Sequence, residues 1–431
     1  MRPSWDLLRL SVCGVLLGYV WRVQDLYPIL ATAKFSALVL VAAVGLLLAA
    51  GPPNGVWRRF RHPCVKLAAF IAALMVLSVP ASLWPGLSFR FITSDHVKTL
   101  LMVALVIASV RAFVDVERLA MVTLGGAALF SALTLTRFGV GMGGRLGNLV
   151  YYDANDLGML LVCSLPLTLY FVRCGRGLVV RLGGGFAAWL FLMTIVRTGS
   201  RGAFVGLLLV ALYLLFSFSA VRTSVRLAWS TAIVAGFVAV GDPAYWSSMQ
   251  TLLNPKADYN WSGQSDAGRM EVWKRGMGYM LRRPLTGVGV QAFGVAEGTI
   301  SPLAGRQDLG IGVKWSAAHN SFVQIAAELG LGGIVAFVAL LVAAWRALRR
   351  IDRPRRGRAP PGRPEATMAQ ALRAGLVGYM AAGFFLSQAY SAYLYALIGM
   401  IVGFASVAGP VVVPAAGAPA SGRGRRGLQD V

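Results

Sequence analysis

Residues 178–220 read LVVRLGGGFAAWLFLMTIVRTGSRGAFVGLLLVALYLLFSFSA. Two apolar runs, 178–196 and 202–220, flank a short polar turn that holds Arg197, Thr198, Gly199, Ser200 and Arg201. A helix needs about 20 apolar residues to cross the hydrocarbon core of a bilayer, and each run supplies that length. The runs are continuous rather than alternating with period two, which excludes an outer-membrane barrel. The stretch therefore predicts two membrane-spanning helices joined by a turn that carries a cation.

The same pattern extends in both directions. Of the 431 residues, 57% are hydrophobic and only 13% charged, more apolar surface than a water-soluble globule can hide. Runs of spanning length fall at 5–21, 27–50, 64–84, 97–114, 119–137, 155–173, 178–196, 202–220, 226–241, 318–346, 368–386 and 388–408. The fold class expected is all-α, a polytopic membrane protein of about 12 transmembrane helices with one long outer loop. The division is 1–241 for helices 1–9, 242–317 for the loop domain, 318–408 for helices 10–12, and 409–431 for a disordered tail. The first run lacks a small-residue cleavage site and reads as a retained helix.

Lys and Arg number 41 against 17 Asp and Glu, a formal charge of +24. Their placement between apolar runs points to topology rather than to nucleic acid. Alternate loops carry Arg58, Arg59, Arg61, Lys66, Arg173, Arg176, Arg181, Arg349 and Arg350, and the positive-inside rule makes that side cytoplasmic, with both termini. The long segment 242–317 has eight basic against six acidic residues and lies on the opposite side without violating that rule. The Arg-, Pro- and Gly-rich stretches 351–365 and 409–427 read as segments touching anionic membrane lipids. The four cysteines lie in or beside apolar runs with no CxxC pair, so neither a disulfide framework nor a zinc site is expected.

Ionisable groups near membrane depth are costly to keep and mark functional positions. Arg145 sits among Gly143, Gly144 and Gly147, ahead of Tyr151, Tyr152, Asp153 and Asn155; glycines admit a ligand close to the backbone, and a guanidinium suits phosphate oxygens. The plain alternative is a loop in which Asp153 or Asn155 caps the next helix. Arg201 stands between small residues at an outer helix start, a composite anion site unless it snorkels to the headgroups.

Residues 266–283 form an amphipathic helix with Met270, Trp273, Met277 and Met280 at helical spacing and Ser265 or Asp266 available as N-cap. Arg269 falls in line with Trp273 and faces the membrane or the rest of the protein, whereas Lys274, Arg275 and Arg282 point away as solvated charges. His319, beside Asn320 at the start of the tenth span, can take a proton near neutral pH; its ordinary alternative is a capping or surface group. No acidic set or histidine pair accompanies these cations, so no cofactor and no metal is expected, with arginines taking the electrostatic role of a metal ion at a pyrophosphate.

Arg145 with Asn155, then Ser200-Arg201-Gly202-Ala203, Gly268-Arg269 with Trp273, His319-Asn320-Ser321-Phe322 and Glu328-x-Gly330 together resemble the O-antigen ligase and polymerase superfamily. The resemblance is detailed over about 140–332. It implies a glycosyltransferase of the bacterial inner membrane that works at the periplasmic face, without metal or nucleotide. The implied partners are a glycan donor on undecaprenyl pyrophosphate, a lipid A-core acceptor and membrane lipids. The resemblance assigns His319, Arg201 and Arg269 as catalytic; Arg145, Asn155, Tyr152, Asn320 and Trp273 are expected to bind substrate. Close rivals are an O-antigen polymerase and a protein O-oligosaccharyltransferase, and a rival of another class is a transporter or flippase for an anionic solute.

Overall fold

The computed structural model describes residues 6–408 apart from 52–54, 138, 140–145, 147–151, 219–221, 241–242, 251–253, 255–257, 259, 264 and 353–362. Arg145 and the segment 409–431 lie outside the described residues. The architecture is all-helical, as a backbone without water must satisfy its polar groups within each segment. The main helices are α1 Leu7–Tyr19, α2 Phe35–Ala50, α3 Pro63–Ser78, α4 Pro85–Ser109, α5 Phe113–Arg137, α6 Ala154–Cys174 and α7 Leu178–Thr198. They continue with α8 Arg201–Ser217, α9 Thr223–Val240, α10 Arg269–Arg282, α11 Phe293–Thr299, α12 Ser321–Asp352, α13 Pro364–Gly383 and α14 Ala392–Val407.

Five of these, α4, α5, α6, α7 and α12, are long and apolar enough to cross a membrane, and further apolar helices are shorter. The chain is a multi-pass membrane protein. Among the described residues each apolar run read from the sequence contains a helix, but boundaries differ, two of them within the first half of the chain. The run 27–50 is broken where Lys34 takes a left-handed conformation between Pro28–Thr32 and α2. The run 97–114 starts earlier, at Pro85, continues through a π-helical turn at Ile92–His96, and stops at Ser109.

The centre of the bundle is α6, packed on α7, α8 and α13. Small residues let these backbones approach, as is usual where lipid supplies no hydrophobic drive between helices. A side chain at Gly375 would meet the Cys163 carbonyl at 2.6 Å, and one at Gly158 would meet Ala203 Cβ at 2.7 Å. This antiparallel packing gathers the start of α6, the turn between α7 and α8, the start of α12 and the segment between α13 and α14 at one end.

The stretch between α9 and α12 is tied into that end. In α12 the glycine Gly330 has φ +68°, which breaks the helix ladder. The Ala327 and Glu328 carbonyls accept from Val288 N at 2.9 Å and Gly289 N at 3.1 Å, and Leu331 N donates to the Pro284 carbonyl at 2.8 Å. A Cβ on Gly330 would lie 2.2 Å from that same Pro284 oxygen, so only glycine fits. Glu328 braces this insertion: its carboxylate is buried and accepts from Phe293 N at 3.4 Å.

Candidate active site

The sequence places spans at 368–386 and 388–408 almost end to end. The structure instead ends α13 at Gly383 and leaves 384–391 as a loop before α14, whose cap is Ser391. Ser387 and Gln388 interrupt the apolar run, and the loop around them is pinned by hydrogen bonds. Ser321 Oγ donates to the Leu386 carbonyl at 2.7 Å and accepts from Gln388 N at 3.0 Å. Tyr379 Oη donates to the Gln388 carbonyl at 2.7 Å. Gln388 Nε2 reaches Asp156 Oδ1 in the first turn of α6, at 2.7 Å.

His319 is fixed on this loop. Its backbone N donates to Ser387 Oγ at 2.8 Å, and its φ of +47° is a left-handed conformation uncommon outside glycine. Two neighbours read as substrate contacts, Asn320 and Trp273, make backbone hydrogen bonds around the histidine. Asn320 Oδ1 accepts from Phe322 N at 2.8 Å and Val323 N at 3.0 Å, capping α12, and the residue is buried. Trp273 Nε1 donates to the Ala318 carbonyl at 2.9 Å. Burial pushes the half-buried imidazole below its ordinary pKa, the Arg269 cation pushes the same way, and the Asp153 carboxylate opposes both. The neutral form, which can accept a proton, is therefore favoured.

Arg201 opens α8, where Ser200 Oγ caps the helix by accepting from Ala203 N at 3.2 Å. Its guanidinium pairs with the buried carboxylate of Asp258, so the expectation that no acid matches the arginines is corrected. Burial alone would raise the Asp258 pKa; hydrogen bonds from Asn260 and the Arg201 charge outweigh it and hold the carboxyl below its ordinary value. Asn260 donates to Asp258 Oδ1 through its backbone N at 3.0 Å and Nδ2 at 2.9 Å. The Asn260 carbonyl then accepts from Met270 N at 3.1 Å, linking the pair to the start of α10.

Arg269 is the first residue of α10, and its guanidinium carbon lies 6.0 Å from the centroid of the Phe385 ring. It faces the rest of the protein, as the helical phase predicted. Other details of α10 differ. Gly268 is its N-cap rather than Ser265 or Asp266, and the packed line is Val272, Gly276 and Tyr279, with Met277 exposed. The reason is Gly276, which lies so close to α12 that a Cβ there would meet Val323 Cγ1 at 2.6 Å. Arg275, expected to be solvated, is only 11% exposed and forms a forked pair with Glu297, whose carboxylate also accepts from Tyr279 Oη at 2.7 Å.

At the start of α6, Asp153 is the cap, accepting from Asn155 N at 2.7 Å and Asp156 N at 2.8 Å. Asn155 Nδ2 turns back to Asp153 at 3.3 Å. Tyr152, expected to bind substrate, is buried, and its hydroxyl donates to the Val20 carbonyl at 2.5 Å, so it packs the fold. The 384–388 loop thus meets Arg269 through Phe385, His319 through Ser387 and Asp156 through Gln388, and Gly202, next to Arg201, packs against Phe385. Asp258, Asn260, Phe385, Ser387 and Gln388 went unseen in the sequence; a Ser-Gln pair inside an apolar run was the available signal. Among the described residues no three His, Cys, Asp or Glu side chains are grouped to hold a metal ion.

Arg201, Arg269, His319 and the kinked start of α12 fall inside one matched segment. Residues 186–338 match the family model described as O-antigen ligase. The matched segment runs from within α7, through Arg201, Arg269 and His319, to beyond Gly330 in α12. No curated protein matches the chain.

Proposed function

We propose that this protein is an O-antigen ligase, transferring a glycan from undecaprenyl pyrophosphate to a hydroxyl of a lipid A-core oligosaccharide. The observation that carries the reading is that Arg269 and His319 meet the 384–388 loop, with Arg201's neighbour Gly202 packed on the same Phe385, all three within the segment matched by the family model. His319 removes the proton from the acceptor hydroxyl, which attacks the anomeric carbon and inverts it. Arg201 and Arg269 take the negative charge that builds on the departing pyrophosphate, the role a metal ion fills elsewhere. Asp258 aims the Arg201 guanidinium, and in this reading Asn155 and Arg145, the latter outside the described residues, bind the donor. Such a leaving group needs little protonation, so one base and several cations suffice.

In this reading the twelve apolar runs are spans, the termini are cytoplasmic, and the His319 end faces the periplasm of a bacterial inner membrane. The basic residues at the far ends of α6, α7 and α12, Arg173, Arg181, Arg349 and Arg350, support that orientation. A polymerase would use a second lipid-linked glycan as acceptor, and a protein O-oligosaccharyltransferase a Ser or Thr. The test is reconstituted protein given lipid-linked glycan with rough lipopolysaccharide, or with donor alone. Product on the core sugar is expected; chain growth with donor alone would make it a polymerase, and solute uptake without any glycan product would make it a transporter.

A further inference from the structure

At the end of the bundle away from His319, α6, α7, α8 and α9 enclose a cavity of about 240 Å³. Leu165, Leu192, Phe218 and Trp229 are among its apolar lining. Three guanidinium groups line the same space, from Arg173 in the last turn of α6, Arg181 in the first turn of α7 and Arg226 in the first turn of α9. Leu165 precedes Arg173 by eight residues of helix, about 12 Å at the helical rise. The cavity is therefore deep and apolar below, and cationic at one level above.

Two of these cations, Arg181 and Arg226, are held by neutral acceptors. Arg181 Nε donates to the Gly175 carbonyl at 3.0 Å, and Arg226 donates to the Leu215 carbonyl at 2.6 Å and Thr223 Oγ1 at 2.8 Å. Neither has a carboxylate within ion-pair distance among the described residues. Both occupy the first turn of a helix, the end whose dipole disfavours a cation. An anion at that level relieves both repulsions at once, and a free inorganic ion would leave the apolar depth unfilled.

We propose that this cavity binds an anionic glycerophospholipid, with an acyl chain against Leu165 and Leu192 and its phosphate between Arg181 and Arg226. The site lies at the opposite end of α6 and α7 from the His319 loop and does not rest on the ligase reading. Basic pockets between membrane helices hold anionic headgroups by this combination of charge and chain burial.

The test uses the full chain, purified and delipidated in detergent, with phosphatidylglycerol, phosphatidylcholine of the same chains, or glycerol phosphate, read by native mass spectrometry and thermal melting. Phosphatidylglycerol should be retained at least tenfold more than phosphatidylcholine and should raise the melting temperature. Arg181→Gln should bring retention down to the phosphatidylcholine level, and Leu192→Trp, which fills the depth and leaves the arginines, should do the same. Arg226→Gln is the less safe variant because Arg226 also ties α9 to α8. Equal retention of the two lipids, unchanged retention in both Arg181→Gln and Leu192→Trp, or glycerol phosphate matching the whole lipid would overturn the proposal.

Discussion

The Arg269 guanidinium lies 6.0 Å from the centre of the Phe385 ring, a cation over an aromatic face. Gly202, next to Arg201, approaches the same side chain so closely that an added Cβ would sit 3.0 Å from Phe385 Cβ. One phenyl ring thus spaces the two arginine-bearing helix starts, and Trp261 meets it edge-on with centroids 6.2 Å apart.

Phe385→Ala removes that spacer. Glycan transfer should fall at least tenfold with normal amounts of protein in the membrane, and Phe385→Leu should recover part of it. Gly202→Ala should also slow transfer by displacing the ring. Wild-type rates in both Phe385→Ala and Gly202→Ala, measured on reconstituted protein, would show that the spacing has no role.

Asp258→Asn leaves a neutral group beside Arg201. Since Asp258 is held below its ordinary carboxylate pKa, the pair is intact at neutral pH and is lost only in strong acid. The variant should raise KM for the donor more than it lowers kcat, whereas Arg201→Ala and Arg269→Ala should each lower kcat by about 10²–10³-fold, as loss of a charge-stabilising donor does. Steady-state kinetics over donor concentration separates these outcomes.

His319→Asn keeps a residue that tolerates positive φ and removes the base. Turnover should drop by about 10²–10⁴-fold with donor still bound. The pH profile carries the sign: neutral imidazole is the active form and its pKa lies below 6.5, so activity should be flat through neutral pH and fall only on the acid side of 6.5. A midpoint above 7 would contradict the burial and Arg269 effects together.

Arg275 and Glu297 form a buried pair, the carboxylate being 1% exposed. Removing one partner of such a pair typically destabilises by about 3–5 kcal/mol. Glu297→Gln should therefore lower the melting temperature markedly, while Lys274→Gln, in an exposed pair on the same helix, should leave it unchanged. Equal melting curves would mean that Arg275 finds water in the folded protein.

The proposed chemistry uses arginines where other transferases use a divalent ion. Transfer should persist in EDTA, with no gain on adding Mg²⁺. Loss in chelator and recovery with Mg²⁺, followed as glycan product, would require another mechanism.

Hydrophobic runs made the helices legible, because membrane depth forces about twenty apolar residues into each crossing and leaves little ambiguity about state. The helical phase of Arg269 was legible too, since a 3.6-residue period fixes which neighbours share its face. What escaped was long-range. Nothing local in Asp258 tells it from the five other acids of its segment, and it meets Arg201 only through the fold. The polar atoms of Asn320 and Trp273 were countable in sequence, but their backbone partners were not. The 384–391 loop was hidden inside two spans because Ser387 and Gln388 are too few to break an apolar window.

Gly330 carries a consequence for how relatives of this fold can diverge. With the α12 ladder broken there, two of its carbonyls are hydrogen-bonded by residues 288 and 289 of the connecting stretch rather than by the helix itself. Exchanging that stretch wholesale for another protein's would strand those carbonyls in hydrocarbon. New acceptor preferences must then arise by point changes within a retained backbone, not by cassette swapping.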